Sequence, residues 1–311
     1  AYQMDAGRSK GPDIFYMLRL GAAATWKEDK IANNQIKQKF LDAGENPIYG
    51  THVFFYIGQA PEKSASLSFL DSKGTLISTF KTNSNKEDDL KISEGMNHFI
   101  WNMRYPDSNE AIINKKVLSE KSIGPLATPG KYSVILEIDG ETFKQSFNLI
   151  ADPRINTKQS DFVSQFNLLI DIRNKISETH SAIVKAEKII DQINQWKNKI
   201  DTNSNKELLT QADKLQSKIS AITSNLIHPG GESPEKWILP TRLISKLKEL
   251  PPVINNSDTK PTKQSYEVFT SFCEKIDTNI SRLNKVILTD VKKFTDMLAK
   301  ENIPLIDIHQ K

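Results

Sequence analysis

The stretch that decides the fold is Gly95–Pro106, GMNHFIWNMRYP, taken together with Ala127–Tyr132, ATPGKY. The first stretch is a turn followed by alternating apolar and polar residues, and it ends in a tryptophan, an arginine and a proline. The second is a Pro-Gly turn that leads into another alternating run, Tyr132–Ile138. Alternation with a period of two is typical of a strand with one buried face. Such pairs occur in small β-sandwich domains attached to larger secreted proteins, so we expect a module of that class.

More runs with the same period lie on either side of these two stretches. They are Thr51–Ile57, Ser64–Leu70, Thr75–Phe80, Lys131–Asp139 and Glu141–Ile150. The Asp139-Gly140 pair between the last two runs is one of the strongest short-range signals for a hairpin. Short strands at this spacing, with no helical period between them, predict an antiparallel Ig/FnIII-like β-sandwich over residues 45–153. Pro153 breaks the pattern and marks the predicted domain boundary.

Beyond Pro153 the apolar residues recur at steps of three and four, which is typical of amphipathic helices. Three long helices are predicted, over about 160–200, 208–226 and 262–298, with a shorter one over 241–250 that Pro251 and Pro252 close. Each long helix depends on burying its apolar stripe against the others. The sequence therefore predicts an antiparallel three-helix bundle over residues 154–311, and the fold class is multidomain, α and β.

Residues 1–44 show a weaker pattern than the rest of the chain. An apolar run within Asp13–Leu20 predicts a strand, and Trp26–Phe40 predicts part helix and part loop. Ala1–Asp5 contains no initiator methionine and no signal-peptide pattern. We therefore expect this segment to be the end of a missing upstream domain or a linker.

The composition narrows the class of protein further. The chain has 311 residues, of which 26% are charged, and a formal net charge of +4. Basic and acidic residues are intermixed, without a compact basic run interleaved with aromatics, so nucleic-acid binding is not predicted. No apolar run reaches the roughly 18 residues of a transmembrane helix. The single cysteine, Cys273, cannot form an internal disulfide or a thiolate metal site, and we predict that it is a small buried apolar residue.

The residue types that carry catalysis or bind metals are scattered. The five histidines are isolated in sequence; His180 is predicted to be a hydrogen-bonded core residue of the first long helix, and His98 to point to solvent. The acidic run Glu87–Asp89 is predicted to be a solvated turn, with weak calcium binding as the alternative. Phosphate-binding glycine motifs and the Gly-x-Ser-x-Gly motif are absent. We therefore predict no catalytic residue, no metal and no cofactor for this chain.

Trp101, Arg104 and Tyr105 are the candidate binding residues. An exposed aromatic ring next to an arginine forms a platform for a sugar or a peptide. The alternative, which we favour, is that Trp101 fills the core of the sandwich while Arg104 and Tyr105 stabilise the end of the strand.

Several stretches together resemble one bacterial family. They are Glu45–Gly50, Gly95–Pro106, Pro129–Tyr132, Asp152–Arg154 and Phe166–Ser177. The family is that of the large bacterial β-propeller proteins with BNR or sortilin-like repeats, commonly labelled glycosyl hydrolases, and the resemblance covers most of residues 45–300. His98 and Asn102 depart from the arginine and aspartate that are usual in the family pattern.

The resemblance implies an exported protein, at the cell surface, in the periplasm or outside the cell. It also implies a propeller first and the sandwich and bundle as the C-terminal region. We expect a non-catalytic accessory region that supports the propeller and mediates protein or glycan contacts. One alternative is part of a glycoside hydrolase or sialidase-like enzyme whose active site lies in the propeller. Another is a subunit of a cell-surface or secretion-associated assembly, which exposed apolar residues on the bundle such as Val184 or Ile189 would support.

Overall fold

The structure is a computed structural model, and it describes residues 48–59, 61, 64–82, 90–197, 205–232 and 238–300, with the backbone of two strands at 26–30 and 36–40. The chain divides into two compact units. Unit 1 is Ala1–Met103 with Pro129–Asn156, and unit 2 is Arg104–Thr128 with Thr157–Lys311. Each unit is described separately below.

Unit 1 is built from antiparallel strands. In chain order they are β1 Trp26–Lys30, β2 Ile36–Phe40, β3 Thr51–Ile57, β4 Ala65–Leu70, β5 Leu76–Lys81, β6 Gly95–Trp101, β9 Gly130–Ile138 and β10 Glu141–Leu149. The strands between β6 and β9, β7 Ala111–Ile113 and β8 Lys116–Ser119, belong to unit 2. The strands pair as β1-β2, as β3-β6 and as a four-stranded sheet of order β10-β9-β4-β5. The Asp-Gly hairpin prediction is confirmed, because Asp139 and Gly140 connect β9 to β10 with φ values of 49° and 97°.

Aromatic rings from two of these sheets form the core of unit 1. Phe69 of β4 stacks on Trp101 of β6 with ring centroids 4.4 Å apart, and both side chains are fully buried. Phe147 of β10 meets Phe69 edge to face at 6.4 Å. The inward residues of β4 alternate with serines, which is the period that the sequence shows. Burial of these large rings is the main source of stability of unit 1.

The helices of the described residues lie in unit 2. They are α1 Gln159–Lys197, α2 Lys206–Leu226, α3 Leu243–Lys248, α4 Leu250–Ile254, α5 Lys263–Val286 and α6 Lys292–Lys300, and a π-helical turn, Ile287–Val291, separates α5 from α6. The hydroxyl oxygen of Thr262 accepts a hydrogen bond from the amide of Ser265 at 3.3 Å and caps α5. Two clusters of buried aliphatic and aromatic side chains lie along the length of α1.

The helix predictions need two corrections. Pro251 and Pro252 do not end a helix but lie in the first turn of α4, where amide groups have no partner within the helix and a missing N–H costs little. The last long helix, predicted as continuous over 262–298, contains the π-helical turn at Ile287–Val291. Ile287 and Val291 are both buried there, so the turn shifts the phase of the apolar face without exposing it.

The segment Arg104–Thr128 belongs to unit 2, although the predicted sandwich, 45–153, includes it. It forms a hairpin, β7 Ala111–Ile113 with β8 Lys116–Ser119, and an isolated antiparallel bridge joins its two ends, Arg104 and Leu126. Ala111 and Leu118 lie in the same buried cluster as residues of α1 such as Ile172 and Ile176. The segment is therefore part of the core of the helical unit.

At the coarse level the predicted class is confirmed: the chain combines helices with antiparallel sheets, an α+β fold. The mixture of helix and loop predicted over Trp26–Phe40 is wrong, because two paired strands lie there. The strand predicted within Asp13–Leu20 lies outside the described residues, as does most of the predicted N-terminal segment, 1–44. Within the described part of the chain, no helix has both the length and the apolar character needed to cross a membrane.

We predict that Gly124→Ala destabilises unit 2. A Cβ on Gly124 would lie 1.9 Å from the carbonyl oxygen of Tyr105, so the two sides of the Arg104–Thr128 segment would have to separate. We expect a loss of about 1–3 kcal/mol in the free energy of unfolding, measured by urea denaturation. Gly58→Ala is the control, because no atom lies within 4 Å of its Cβ position. Equal stability of the two variants would contradict the prediction.

Candidate functional site

Two polar constellations lie in unit 2. The first, the buried polar cluster, consists of Ser119, His180, Glu232, Ser245 and Lys248. The second, the basic pocket, is a pocket of about 300 Å³ lined by residues from Arg104–Thr128, α1 and the region of α3 and α4. Lys248 belongs to both, so the two are adjacent.

The buried polar cluster places a serine beside a histidine. Ser119 Oγ lies 3.0 Å from His180 Nε2 and 2.6 Å from Glu232 Oε2, and its single hydrogen is donated to one of these two acceptors at a time. Lys248 Nζ donates to the same carboxylate oxygen at 2.9 Å and to Ser119 Oγ at 3.2 Å. Ser245 Oγ donates to the other oxygen, Oε1 of Glu232, at 2.6 Å. The carboxylate thus has partners on both oxygens, as burial of a charge requires.

Burial and hydrogen bonds together determine the charge states of His180 and Glu232. His180 Nδ1 lies 2.5 Å from the carbonyl oxygen of Asn109, and this contact requires a proton on Nδ1. Desolvation by burial, which outweighs the hydrogen bond to Asn109, lowers the pKa of His180 and favours the neutral ring. Burial by itself would raise the pKa of Glu232, but the hydrogen bonds from Ser119, Ser245 and Lys248 lower it overall.

This cluster has the distances of a nucleophile and a base but no access for a substrate. Ser119 is 1% exposed and His180 is fully buried. In a serine hydrolase the histidine is held by a carboxylate on Nδ1, whereas here a main-chain carbonyl occupies that position. The cluster instead joins the Arg104–Thr128 segment to α1, α3 and Glu232. The prediction that His180 is a hydrogen-bonded core histidine agrees with this geometry.

The basic pocket combines cationic side chains with apolar walls. Arg104, Lys121, Arg173 and Lys248 supply the positive charge. The apolar residues that line it are Ile123, Pro125, Leu169, Pro251 and Pro252, and Ser122, Gly124 and Asn255 complete the lining. A pocket of this size is at the lower limit for binding small ligands.

Three of the four cations have partners. Lys121 pairs with Asp107 at 3.1 Å, and Lys248 pairs with Glu232 at 2.9 Å. Arg104 Nη1 donates a hydrogen bond of 2.8 Å to the carbonyl oxygen of Gly124. Each of these charges is therefore already engaged at one point.

Arg173 differs from the other three. Its Nε is buried and has no hydrogen-bond partner among the described residues. Desolvation by burial lowers the pKa of Arg173, and the charge of Asp107 opposes that shift only in part. A guanidinium remains protonated under these conditions, so the pocket contains a half-buried, unsatisfied positive charge.

The three candidate binding residues have different surroundings. Trp101 lies in the aromatic core of unit 1 and is fully buried, which agrees with the alternative that we favoured. In unit 2, Arg104 lines the basic pocket, and the Tyr105 ring packs edge to face on Phe166 of α1 at 4.7 Å. Ligand binding by these three residues remains a prediction, and of the three it is Arg104 that lines the basic pocket.

The remaining residues singled out in the sequence are His98, Cys273 and the run Glu87–Asp89. His98 is exposed, as predicted, and its Nε2 lies 2.8 Å from Nδ1 of His52 on the neighbouring strand. Cys273 is half-buried rather than fully buried, and burial raises the pKa of its thiol. Glu87–Asp89 lies outside the described residues. Among the described residues, no group of three or more His, Cys, Asp or Glu side chains could hold a metal ion.

Sequence reasoning did not identify Arg173. Its position contains a signal, because it follows Leu169 by four residues and precedes Ile176 by three, which is the spacing of the buried face of α1. A charged residue at the edge of an apolar face requires a partner. The pocket that Arg173 lines cannot be read from the sequence, because the segment that completes it lies some 50 residues earlier in the chain.

Comparisons with known proteins returned no match: no family model, no curated protein and no solved structure is similar to this chain. The resemblance to the BNR and sortilin-like propeller proteins therefore remains an expectation from the motifs.

We predict that unit 2 loses stability as the pH falls from about 7.5 to about 5.5, and that His180→Gln reduces this loss. The folded-state pKa of His180 lies below its unfolded value of about 6.5, so below that pH the unfolded chain binds a proton that the folded chain does not. The lowered pKa of Glu232 acts at lower pH, where protonation of the carboxylate removes a further contribution. Urea denaturation followed by helical circular dichroism measures the effect.

Ile183→Val is the control for the pH experiment. This residue is fully buried one turn from His180 and does not titrate, so the variant lowers stability by about 0.5–1.5 kcal/mol at both pH values alike. A His180→Gln variant with the pH dependence of the wild-type chain would show that His180 is not the group responsible.

A second prediction concerns Arg173→Met, which keeps the aliphatic stem and removes the charge. Because the guanidinium has no ion-pair or hydrogen-bond partner within the described residues, we expect the free energy of unfolding to stay the same or to rise by about 1 kcal/mol. Arg282→Met, at an exposed position of α5, is the matched control and should change stability by less than about 0.5 kcal/mol. A loss of more than about 1 kcal/mol in Arg173→Met alone would indicate a stabilising role for the charge.

Proposed function

We propose that this chain is a non-catalytic accessory and interaction region of an exported β-propeller protein. In this proposal an Ig/FnIII-like β-sandwich is followed by an antiparallel three-helix bundle, and the two support the propeller and contact protein or glycan partners. The propeller, the export and the domain family come from the motif resemblance. The interaction role is supported by the chemistry of unit 2.

The observation that carries the interaction role is the difference between the two polar constellations. Ser119 and His180, which have the geometry of a nucleophile and a base, are closed to solvent. The basic pocket is open, and the residues that line it include no histidine, cysteine, aspartate or glutamate. Of the side chains that act in general acid–base or covalent catalysis, the lining supplies Ser122, Lys121 and Lys248, and both lysines are held in ion pairs. A pocket lined by cations and apolar residues instead binds and orients an anionic group.

A subunit role in a cell-surface assembly is the second candidate. On the β3–β6 pair, Phe54, Tyr56 and Met96 are 49%, 73% and 69% exposed, and cross-strand neighbours place them on one face. Contiguous exposed apolar residues favour protein contacts. The bundle residues expected to supply such a surface do not, because Ile189 is buried and Val184 is partly buried.

The test of the non-catalytic role is an assay of the full chain against a panel of nitrophenyl glycosides. We expect no release of nitrophenolate above the buffer rate, because Ser119 and His180 are closed to solvent and the lining of the basic pocket contains no carboxylate. Ser119→Ala is the matched variant. Hydrolysis by the wild-type chain that Ser119→Ala abolishes would overturn the proposal and assign catalysis to the buried polar cluster.

The test of the accessory role is the intact mass and N-terminal sequence of the protein from its native source. The proposal expects a longer chain in which a propeller precedes this region. A native chain that begins at Ala1 would contradict the propeller context and leave the interaction role to be judged by ligand binding alone.

A further inference from the structure

We propose that the basic pocket binds one carboxylate group carried on a small apolar body, with Arg173 as the residue that binds the carboxylate. This inference rests on the proposed interaction role and gives it a ligand class. It would assign the pocket to a peptide C-terminus with an apolar last residue or to a free aliphatic acid, which share this chemistry.

The charge balance of the pocket indicates an anionic ligand. Of the four cations in the lining, Lys121 is paired with Asp107 and Lys248 with Glu232. Arg104 donates to the carbonyl oxygen of Gly124, a contact that fixes its position and leaves its charge in place. Arg173 has no hydrogen-bond or ion-pair partner among the described residues, and its Nε is buried. A carboxylate at Arg173 therefore supplies an anion that the lining itself lacks.

The shape of the guanidinium favours a carboxylate. Its planar fork donates two parallel hydrogen bonds to the two oxygens of a carboxylate, and such charge-assisted pairs are stronger than neutral ones. Phosphate has no apolar group to cover the carbons of the lining, so a carboxylate on an apolar body fits this pocket better. The partial burial that lowers the pKa of Arg173 also strengthens its attraction for an anion, because water screens the pair less.

The apolar residues of the lining indicate which kind of group carries the carboxylate. Ile123, Pro125, Leu169, Pro251 and Pro252 form the apolar part of the lining, and Ile123 is 66% exposed in the structure. Burial of these carbons by an aliphatic group is favourable, whereas the hydroxyl groups of a sugar acid would be left without partners along the prolines, which have no amide hydrogen. A volume of about 300 Å³ admits a group of the size of a leucine side chain with its carboxylate, and little more.

The lining is also preformed. The hydrogen bond between the amide of Tyr105 and the carbonyl oxygen of Pro125, 2.9 Å, holds the two sides of the Arg104–Thr128 segment together. The amide of Gly124 donates to Asp107 Oδ1 at 2.8 Å, and the carbonyl of Gly124 accepts from Arg104. The ion pair with Glu232 holds Lys248 at the opposite wall. A preformed pocket loses little conformational entropy on binding, so a small ligand is sufficient.

The test is a titration of the full-length chain, labelled with nitrogen-15, in which the Nε–Hε resonance of Arg173 is followed by NMR. The probes are isovalerate and N-acetyl-leucine, with isovaleramide and N-acetyl-leucinamide as their neutral counterparts, and glucuronate and inorganic phosphate as other anions. We expect both apolar carboxylates to shift the Arg173 resonance with a Kd of roughly 1–10 mM, as is usual for ligands of so few atoms. We expect the amides to produce no such shift.

Matched variants assign the effect to Arg173. Arg173→Met should weaken binding of the carboxylates by about tenfold or more, and Arg173→Lys should give an intermediate loss, because the charge remains without the planar fork. Arg282→Met, at an exposed site outside the pocket, should bind as the wild-type chain does. Binding of the Met and Lys variants is followed through the amide resonances of Gly124 and Lys121.

Tighter binding of N-acetyl-leucine than of isovalerate identifies a peptide C-terminus as the source of the carboxylate, and the reverse order identifies a free acid. The inference is overturned if the amides bind as well as the acids, if glucuronate or phosphate binds as tightly as isovalerate, or if Arg282→Met weakens binding as much as Arg173→Met.

The two proposals fail in different ways. Absence of carboxylate binding together with absence of glycoside hydrolysis refutes the ligand class and leaves the non-catalytic role intact. Hydrolysis that Ser119→Ala removes and Arg173→Met does not refutes the non-catalytic role, whatever the carboxylate titration shows.

Discussion

The contact between His180 Nδ1 and the carbonyl oxygen of Asn109 is the constraint on which unit 2 depends, because it attaches the Arg104–Thr128 segment to the middle of its longest helix. The ring of His180 is fully buried, and its other nitrogen lies 3.0 Å from the Oγ of Ser119, which pairs with Ala111 at the open end of the same hairpin. One side chain thereby holds both strands of the hairpin. An unsatisfied nitrogen at this depth would cost about 1–3 kcal/mol, so the register of the hairpin on α1 is strongly specified.

This attachment also determines the chemistry available to unit 2. Because Ser119 donates to Glu232 and faces His180 within the core, the groups that would act as nucleophile and base instead hold the segment in place. Their fixed positions bring Lys248 to the border of the pocket. The basic pocket exists because the segment lies against α1 and the prolines of α4, and no single element contains its lining.

The fold was predictable where local chemistry determines it. The alternation in Ala65–Leu70 and the Asp139-Gly140 turn both act within a few residues, and each has the predicted structure. The place of Arg104–Thr128 in the helical unit was not predictable, since it depends on contacts such as Asn109 with His180, 71 residues apart. The strands over Trp26–Phe40 were missed because most residues of those runs are charged and Ile36 is the one β-branched residue in them.

The candidate site was likewise predictable only in part. Arg104 stood out in the sequence because it ends a strand motif beside aromatic residues, whereas Arg173 lies in a helix in which charged residues are common. Only the structure shows that Arg173 has lost much of its water without gaining a partner. A protein interior normally replaces or pairs such a charge, because an apolar residue of the same length is at least as stable there. By this argument the guanidinium of Arg173 lowers folding stability, and the carboxylate that we propose for the basic pocket would offset that loss on binding.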